Sequence, residues 1–247
     1  MRKFCLIVIL AFGLTASVAF SQATNLAETY KMVPKAGMSS QVESALKAHA
    51  EWRIANGDSW TWNLYQEIVG HGFGTFYARS GGHSWADFDE YDLPGSSAHF
   101  NQTVTPLLES LSNTITAVDT TVINWPDEDE FTLFQIINYD LKPGGGMDFS
   151  AAIKKYHSAI MEKNDQIHYV FAWTVFGNDG TEDVAGVFPQ NNWGGFAPSD
   201  PAVEQIMIEV YGEEEAGKIR AQLGGSFRST TNSVLLYRPD LSVTSAE

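Results

Sequence analysis

Cysteine is almost missing from this chain, since Cys5 is the only one among 247 residues. It lies near the start of an apolar stretch that follows Arg2-Lys3, and Ser21-Gln22-Ala23 then places small residues where a signal peptidase cleaves. We therefore predict that residues 1–23 are a signal peptide and that the mature protein is periplasmic or secreted. Cleavage would remove the only thiol, which excludes disulfides, thiolate metal sites and cysteine nucleophiles.

A transmembrane anchor is the alternative for this stretch, because its length approaches the roughly 20 apolar residues that span a bilayer. Thr15 and Ser17 weaken that alternative, and no basic cluster follows the stretch.

Basic side chains are also scarce. Loss of Arg2 and Lys3 with the signal peptide leaves 13 of the 15 basic side chains against 30 acidic ones, a formal charge of −17. Such a surface repels nucleic acids and anionic lipids, which are bound by basic patches. We expect no nucleic-acid partner and no membrane insertion after cleavage.

Complete catalytic and cofactor motifs are absent. The sequence has no Gly-x-Ser-x-Gly, His-Glu-x-x-His, phosphate loop or dinucleotide fingerprint. The acidic run Asp127–Glu130 lacks the glycine and the alternating spacing of a calcium loop, so we interpret it as a solvated linker. The sequence thus predicts neither a metal nor an organic cofactor, and it leaves the catalytic residues unknown.

What the chain does contain is a weak internal repeat, in which residues 35–89 recur in order at 142–197. Lys35-Ala-Gly37 returns as Lys142-Pro-Gly144, and Trp85-x-x-Phe88 returns as Trp193-x-x-Phe196. Val42 and Leu46 correspond to Phe149 and Ile153 with an offset of 107. Such a repeat indicates two copies of one supersecondary unit that pack together. We place the first copy at 24–126 and the second at 127–247.

Hydrophobic periodicity predicts the order β-α-β-β-α-β in each copy. The first copy has predicted strands at 25–34, 59–69, 75–79 and 120–125, a helix from Ser39–Ser40 to Gly57, and a helix at 97–117. The second has predicted strands at 131–141, 166–176, 183–188 and 226–237, and helices at 148–164 and 201–223. This order is the ferredoxin-like motif, with helices on one face of a four-stranded antiparallel sheet. We predict an α+β fold in which the two bare sheet faces close into one pseudo-symmetric barrel.

The tandem order, the glycine-containing turn before the first helix and the aromatic second strand resemble the dimeric α+β barrel superfamily. That group includes antibiotic-biosynthesis-monooxygenase-like domains and, as fused two-repeat chains, chlorite dismutase-like and dye-decolorising-peroxidase-like haem proteins. The Gly-x-x-Asp-Gly signature of the dye-decolorising peroxidases is absent, and no specific family is identified. The resemblance implies a small-molecule partner and leaves a homodimer open.

The haem proteins of that group bind iron through a histidine on a helix, which makes His157 a weak candidate here. His49, on the first helix, aligns with Tyr156 and not with His157, so the two histidines are not equivalent. Arg79 is the best-placed arginine for a haem propionate, but a solvated strand end is the more ordinary interpretation of its position.

Aromatic side chains are concentrated on the predicted middle strands, where we expect them to line the barrel interior. A pocket lined by aromatic rings with a few polar groups would orient a planar ligand. The candidate ligand-binding residues are Trp60, Trp62, Asn63, Gln66, Trp85, Tyr169, Phe171, Trp173 and Trp193. The leading hypothesis is an exported barrel that binds an apolar or aromatic molecule without a cofactor. The alternatives are a cofactor-independent monooxygenase-like enzyme, a haem protein using His157, and an envelope or stress protein whose barrel is wholly filled by its own side chains.

Overall fold

The computed structural model describes residues 25–126, 131–163, 166–177 and 180–244. The predicted signal peptide, 1–23, and the acidic run at 127–130 lie outside the described residues. None of the described helices has the length and apolar character needed to cross a membrane.

Two halves with the same element order follow one another along the chain. The first half contains β1 (Leu26–Pro34), α1 (Ser39–Ala55), β2 (Asn63–Val69), β3 (Phe76–His83), α2 (Trp85–Glu90), α3 (Ser96–Thr103) and β4 (Leu108–Val118). The second half contains β5 (Leu133–Leu141), α4 (Gly146–Lys163), β6 (Val170–Phe176), β7 (Val184–Gln190), α5 (Val203–Tyr211), α6 (Glu213–Ser226) and β8 (Phe227–Tyr237).

The strands form one closed antiparallel barrel in the order β1-β3-β2-β8-β5-β7-β6-β4. Each half supplies four strands, and the halves join edge to edge where Tyr65 pairs with Tyr237 and Thr116 pairs with Thr174. Closure leaves no unpaired sheet edge among the described strands. The predicted α+β fold of two tandem ferredoxin-like repeats forming one barrel is confirmed.

The predicted helix at 97–117 and the predicted strand at 120–125 are wrong. α3 ends at Thr103, and residues 108–118 form β4, which pairs with β1 along nearly its whole length. Pro106 has no backbone N–H and disfavours helix at the residue before it, so the chain turns there. Of residues 120–125, only Asn124 forms an isolated bridge, to Tyr169.

The predicted helix at 201–223 is two helices. α5 ends at Tyr211, and Gly212 has φ of +79°, a conformation that favours glycine and cannot continue a helix. Glu213, Glu214 and Glu215 then begin α6, where acidic side chains complement the partial positive charge of the helix N-terminus.

Helices pack on the outside of the barrel, so alternate strand residues face either a helix or the barrel interior. Met32, Leu64 and Phe76 pack with Val42 and Leu46 of α1 in the first half. In the second half, Tyr139, Phe171 and Val184 pack with Phe149, Ile153 and Ile160 of α4. The opposite strand faces bring Tyr65, Tyr77, Phe131, Phe134, Leu235 and Tyr237 together inside the barrel.

The expectation that the aromatic middle-strand residues line the barrel interior is therefore wrong. Trp62, Tyr169, Phe171 and Trp173 lie on the helix-facing side of the sheets. Period-two alternation identifies residues that share a face, but it does not say which face the helices will cover.

Candidate functional site

A cleft of about 460 Å³ opens in the first half between the sheet and α1 and α3. We call it the repeat-one cleft. Its apolar and aromatic walls come from Tyr30, Met32, Leu46, Trp62, Leu64, Tyr91, Leu93 and Phe100. Its polar residues include Glu28, His49, Arg53, Asp92, Ser96 and Asn101. An apolar cavity with a few convergent polar groups is the usual form of a small-molecule site.

The equivalent space in the second half is filled by larger side chains. Val42 corresponds to Phe149 in the repeat, and Leu64 corresponds by the same offset to Phe171. Both phenylalanines are buried, at 1% and 5% exposure, and their ring centroids lie 6.1 Å apart. The two halves share a backbone plan, but the first has the smaller side chains Val42 and Leu64 where the second buries Phe149 and Phe171.

Two histidines stand in direct contact at the wall of the cleft. Nδ1 of His49 lies 3.0 Å from Nδ1 of His99, and both rings stack on Trp52. Burial, together with the nearby charge of Arg53, lowers the pKa of His49 to about 4. His49 is therefore a neutral imidazole at neutral pH, with an N–H on one ring shared with the bare nitrogen of the other.

A buried ion-pair network fixes one end of the cleft. Nε of Arg53 donates to Oδ2 of Asp58 at 2.5 Å, while its Nη atoms donate to Ser96 and to the Tyr91 hydroxyl. The Tyr91 hydroxyl in turn donates to Oδ1 of Asp58 at 3.0 Å. Burial raises the pKa of Tyr91 to about 12. The network ties α1 to the segment that carries α2 and α3, and it occupies every nitrogen of the guanidinium.

The Trp62 indole lies under this network. The Arg53 guanidinium carbon stands 4.7 Å from the centre of the Trp62 ring, a cation–π contact. The indole N–H of Trp62 is buried without a hydrogen bond of ordinary geometry, although the indole is near enough to influence the pKa of Tyr91. Trp62 thus gives the cleft an aromatic wall.

A second cavity, of about 540 Å³, lies at one end of the barrel and is called here the barrel-end cavity. Its lining includes Asn63, Tyr65, Trp125, Phe131, Phe134 and Tyr237. The Tyr237 hydroxyl donates to Oδ1 of Asn63 at 3.3 Å. Burial raises the pKa of Tyr65 to about 12.

Arg79 lies in the middle of β3 and points into the barrel, so the interpretation as a solvated strand end is wrong. It faces the interior because Phe76 and Ala78, its neighbours on the other face, pack against the helices. Nη1 of Arg79 donates to Thr29 at 3.2 Å and to Thr116 at 3.3 Å. Burial lowers the pKa of the guanidinium.

The structure separates the sequence-predicted site residues. Trp62 lines the repeat-one cleft and Asn63 lines the barrel-end cavity. Gln66 accepts a hydrogen bond from Arg238 at 3.0 Å. Trp60 is buried against His83 and Tyr91, with centroids 3.7 and 4.0 Å away. The remaining five, Tyr169, Phe171, Trp173, Trp85 and Trp193, line neither cavity.

Three of these five residues belong to the core of the second half, and the other two lie on the surface. Phe171 and Tyr169 are core residues of the second half, with Trp173 packed against them. Trp85 and Trp193 are 42% and 58% exposed. Each contacts the phenylalanine three residues further on, Phe88 and Phe196, in a similar tilted arrangement. This repeated pair is a surface packing motif in both halves.

His157 does not have the surroundings of a haem ligand. Its Nδ1 lies 2.9 Å from the Tyr169 hydroxyl, and the space between α4 and the second sheet is filled by Phe149 and Phe171. His49 is no better placed, because Arg53 beside it is already engaged by Asp58 and cannot serve a propionate. In the described part of the chain, no three His, Asp or Glu side chains gather to hold a metal ion. Neither His157 nor His49 has surroundings that fit a haem.

The sequence alone does not identify the groups that give the cleft its chemistry. No pattern in it points to His99, Tyr91 or Tyr30, and for His49 it suggests only iron ligation. The spacing of His49 and Arg53 on one helix is a signal, because residues four apart share a helix face. Their partners Tyr91, Ser96 and His99 lie 38 to 50 positions away in the chain and are visible only in the fold.

Solved structures with the same barrel can now be compared with this geometry. A candidate monooxygenase from Lactobacillus acidophilus NCFM superposes with a TM-score of 0.55 at 15% identity, covering 90% of this chain and 97% of its own. An anthrone oxidase-like protein gives 0.58 at 7% identity, with coverage of 91% and 94%. Chlorite dismutase from Candidatus Nitrospira defluvii, in complex with imidazole, gives 0.52 at 9% identity, with coverage of 88% and 92%.

These structures share the closed α+β barrel that the resemblance to the dimeric α+β barrel proteins predicts. No protein-family model matches the chain, and no curated protein matches it. At these identities the likeness establishes the barrel fold alone, and the chemistry of the site has to be argued from its own residues.

Proposed function

We propose that this is an exported protein that binds a small apolar or aromatic molecule in the repeat-one cleft, without a metal or organic cofactor. One observation carries the proposal: the cleft is open where Phe149 and Phe171 fill the equivalent space of the second half. A folded domain gains stability by filling its core. The first half leaves an aromatic-walled space where the second half has buried phenylalanine side chains. A bound ligand is therefore the best explanation for that space.

The lining indicates a neutral, planar ligand. Tyr30, Trp62 and Phe100 offer flat or edge-on contacts to a ring. Glu28 and Asp92 disfavour an anion, and the charge of Arg53 is already paired with that of Asp58. His49 is the group best suited to receive a hydroxyl or N–H of the ligand.

A matched pair of variants tests the cleft. We expect 1-naphthol to raise the melting temperature of the unmodified protein and to change the fluorescence of Trp62. Leu64→Phe, which places in the first half the residue type found at Phe171, should fill the cleft and abolish binding. Phe171→Leu in the second half should lower stability but leave naphthol affinity unchanged. Ala50→Leu is a second filling variant should Leu64→Phe fail to fold.

Two results would reject the proposal. One is the absence of any hit when planar neutral compounds are screened by thermal shift. The other is naphthol binding that survives both filling variants with unchanged affinity.

Export is part of the proposal and rests on the sequence of residues 1–23. Expression of the full chain in a bacterium should give a periplasmic or secreted protein whose N-terminus begins near Thr24. A protein that keeps its first 23 residues would contradict export. A homodimer stays a prediction, which sedimentation velocity would measure.

A cofactor-independent oxygenase is the second candidate, favoured by the neutral His49 imidazole at the cleft wall. Such an imidazole can take a proton from an activated aromatic substrate such as anthrone. The resulting anion gives electrons to O₂ and bonds to it, which forms a ring hydroperoxide once a proton returns. Loss of water from the hydroperoxide then leaves one oxygen on the ring as a carbonyl and releases the other as H₂O. The likeness to a candidate monooxygenase and an anthrone oxidase-like protein supports this candidate.

Oxygen uptake with anthrone would test the enzymatic candidate. His49→Phe should abolish uptake, while His71→Ala, an exposed histidine, should leave it unchanged. Uptake that is absent from the unmodified protein, or that persists in His49→Phe, would reject the oxygenase and leave the binding proposal as it stands.

A further inference from the structure

We infer that the barrel interior holds a second, separate site, which binds an aromatic carboxylate through Arg79. The inference does not depend on the repeat-one cleft, which lies on the opposite face of the first sheet. Arg79 carries a charge that the described residues do not neutralise.

Arg79 forms no salt bridge with any described residue. Its hydrogen bonds are the two from Nη1 to the hydroxyls of Thr29 and Thr116, both longer than 3.1 Å. The carboxylate of Glu67, further along the same face of β2 as Asn63 and Tyr65, accepts instead from the Gly72 N–H at 2.7 Å and the Tyr77 hydroxyl at 2.8 Å. Arg79 is partly buried. Withdrawing a guanidinium from water without an anionic partner is costly, since buried charges in proteins are ordinarily paired.

Donors next to Arg79 complete an anion site. Asn63 lies directly opposite Arg79 in the pairing of β2 with β3, so the two side chains are neighbours on the inner face. The Asn63 carbonyl oxygen accepts from Tyr237, which leaves its NH₂ group to donate inward. Tyr65 follows on the same face of β2, and its pKa is influenced by the charge of Arg79, so its hydroxyl lies near the guanidinium.

The barrel-end cavity supplies room for the rest of the ligand. Asn63 and Tyr65 are part of its lining, and Arg79, which is not, lies directly across the strand pair from Asn63. Trp125 and Phe134 stack with a 10° angle between their planes, and the Phe134 ring meets Tyr65 edge to face. Polar groups of Asn63 and Tyr65 beside Arg79, together with the aromatic rings of the lining, match a molecule with a carboxylate head and an aromatic body. Arginine recognises a carboxylate through two parallel hydrogen bonds.

Benzoate and its uncharged analogue benzamide test the site by calorimetry on the unmodified protein. We expect benzoate to bind at least tenfold more tightly than benzamide, since hydrogen bonds to a charged group contribute roughly that factor or more. Arg79→Gln should weaken benzoate about ten- to hundredfold and leave benzamide unchanged. Equal binding of the two probes, no benzoate binding at millimolar concentration, or full benzoate affinity in Arg79→Gln would each overturn the inference.

Control variants distinguish this site from the repeat-one cleft and from benzoate binding at surface arginines. Leu64→Phe, which fills the repeat-one cleft, should leave benzoate affinity unchanged, so this site and the cleft can fail independently. Arg228→Gln, at an exposed arginine, should also leave benzoate affinity unchanged. Loss of benzoate binding in either control would place the ligand outside the barrel and overturn the inference.

A stability measurement tests the unpaired charge itself. Arg79→Met should raise the melting temperature of the ligand-free protein, because it removes an unpaired charge. A lower melting temperature would show that Arg79 has a structural role and would count against the site. The comparison of benzoate with benzamide uses the unmodified protein. It therefore tests the site even if an Arg79 variant fails to fold.

Discussion

Nδ1 of His49 and Nδ1 of His99 lie 3.0 Å apart, although 50 residues separate them in the chain. Only one hydrogen can stand between two ring nitrogens, so one imidazole donates and the other must be unprotonated at that atom. Because His49 is buried and Arg53 is close by, a proton added to His49 meets both desolvation and positive charge. The pair is therefore a source of pH-dependent stability.

The first prediction concerns this pH dependence. The pKa of His49 is about 4 in the folded protein and about 6.5 in the unfolded chain, so the unfolded chain takes up the proton first as the pH falls. Stability should be complete above pH 6.5 and decline by about 3 kcal/mol between pH 6.5 and 4. Burial also lowers the pKa of His83 and His157, which adds to the decline with the same sign.

Urea unfolding at half-unit intervals from pH 4 to pH 7.5 would measure this decline. His49→Phe keeps an aromatic ring against Trp52 and should give a clearly shallower slope. His71→Ala, at an exposed site, should keep the slope of the unmodified protein. An unchanged slope in His49→Phe would assign the pH dependence to other groups.

The second prediction concerns the ion pair of Arg53 with Asp58, whose side chain has no exposed surface. Asp58→Asn should lower the free energy of unfolding by about 3–5 kcal/mol, because it leaves a buried guanidinium without its counter-charge. Glu214→Gln breaks an exposed pair with Lys218 and should cost less than about 0.5 kcal/mol. Equal effects of the two substitutions in denaturant unfolding would contradict this account.

The third prediction tests the filled space of the second half. Phe149 is 1% exposed, and its replacement by alanine should lower the free energy of unfolding by about 3–5 kcal/mol through lost burial and a residual cavity. Phe73 is 77% exposed, so Phe73→Ala should change stability by no more than about 0.5 kcal/mol. Guanidinium unfolding measures both, and a small effect at Phe149 would mean that the core there collapses readily.

The fourth prediction concerns the start of α2, which lies beside the repeat-one cleft. The Ser84 side chain accepts from the Asp87 backbone N–H, and the Asp87 carboxylate accepts from the Ser84 N–H at 2.6 Å. Ser84→Ala should cost about 1 kcal/mol by removing this capping box. Ser158→Ala, at an exposed mid-helix serine of α4, is the matched control and should have an effect within about 0.5 kcal/mol. Thermal unfolding with equal midpoints for the two variants would show that the cap contributes nothing.

Much of the architecture could be predicted from the sequence, because duplication and periodicity are local properties. Lys35-Ala-Gly37 and its copy Lys142-Pro-Gly144 mark turns before α1 and α4, and the residues after them follow a helical period. The period-two alternation of apolar residues along β2 and β6 is an equally local property. Together they predicted two ferredoxin-like halves and their closure into a barrel.

The wrong prediction of a helix at 97–117 arose because the same apolar spacing fits both a helix and a strand. Phe100, Val104, Leu107 and Leu111 are spaced as on a helix, yet residues from 108 onward form β4 because β1 offers them hydrogen bonds. A short apolar pattern cannot exclude a strand that is stabilised by a partner about 80 residues away. Pairing with β1 therefore decided that residues 108–118 form a strand.

The sequence by itself determined the number of repeats, their element order and the residues that share each strand face. Only the tertiary structure decided which face the helices cover, and therefore that Trp62 faces a cleft while Arg79 faces the barrel. It also decided which half stays open, since Val42 and Phe149 are both ordinary core residues until their neighbours are known. The physical reason is that patterning records local periodicity, whereas a cavity or a buried unpaired charge depends on side chains that meet from distant parts of the chain.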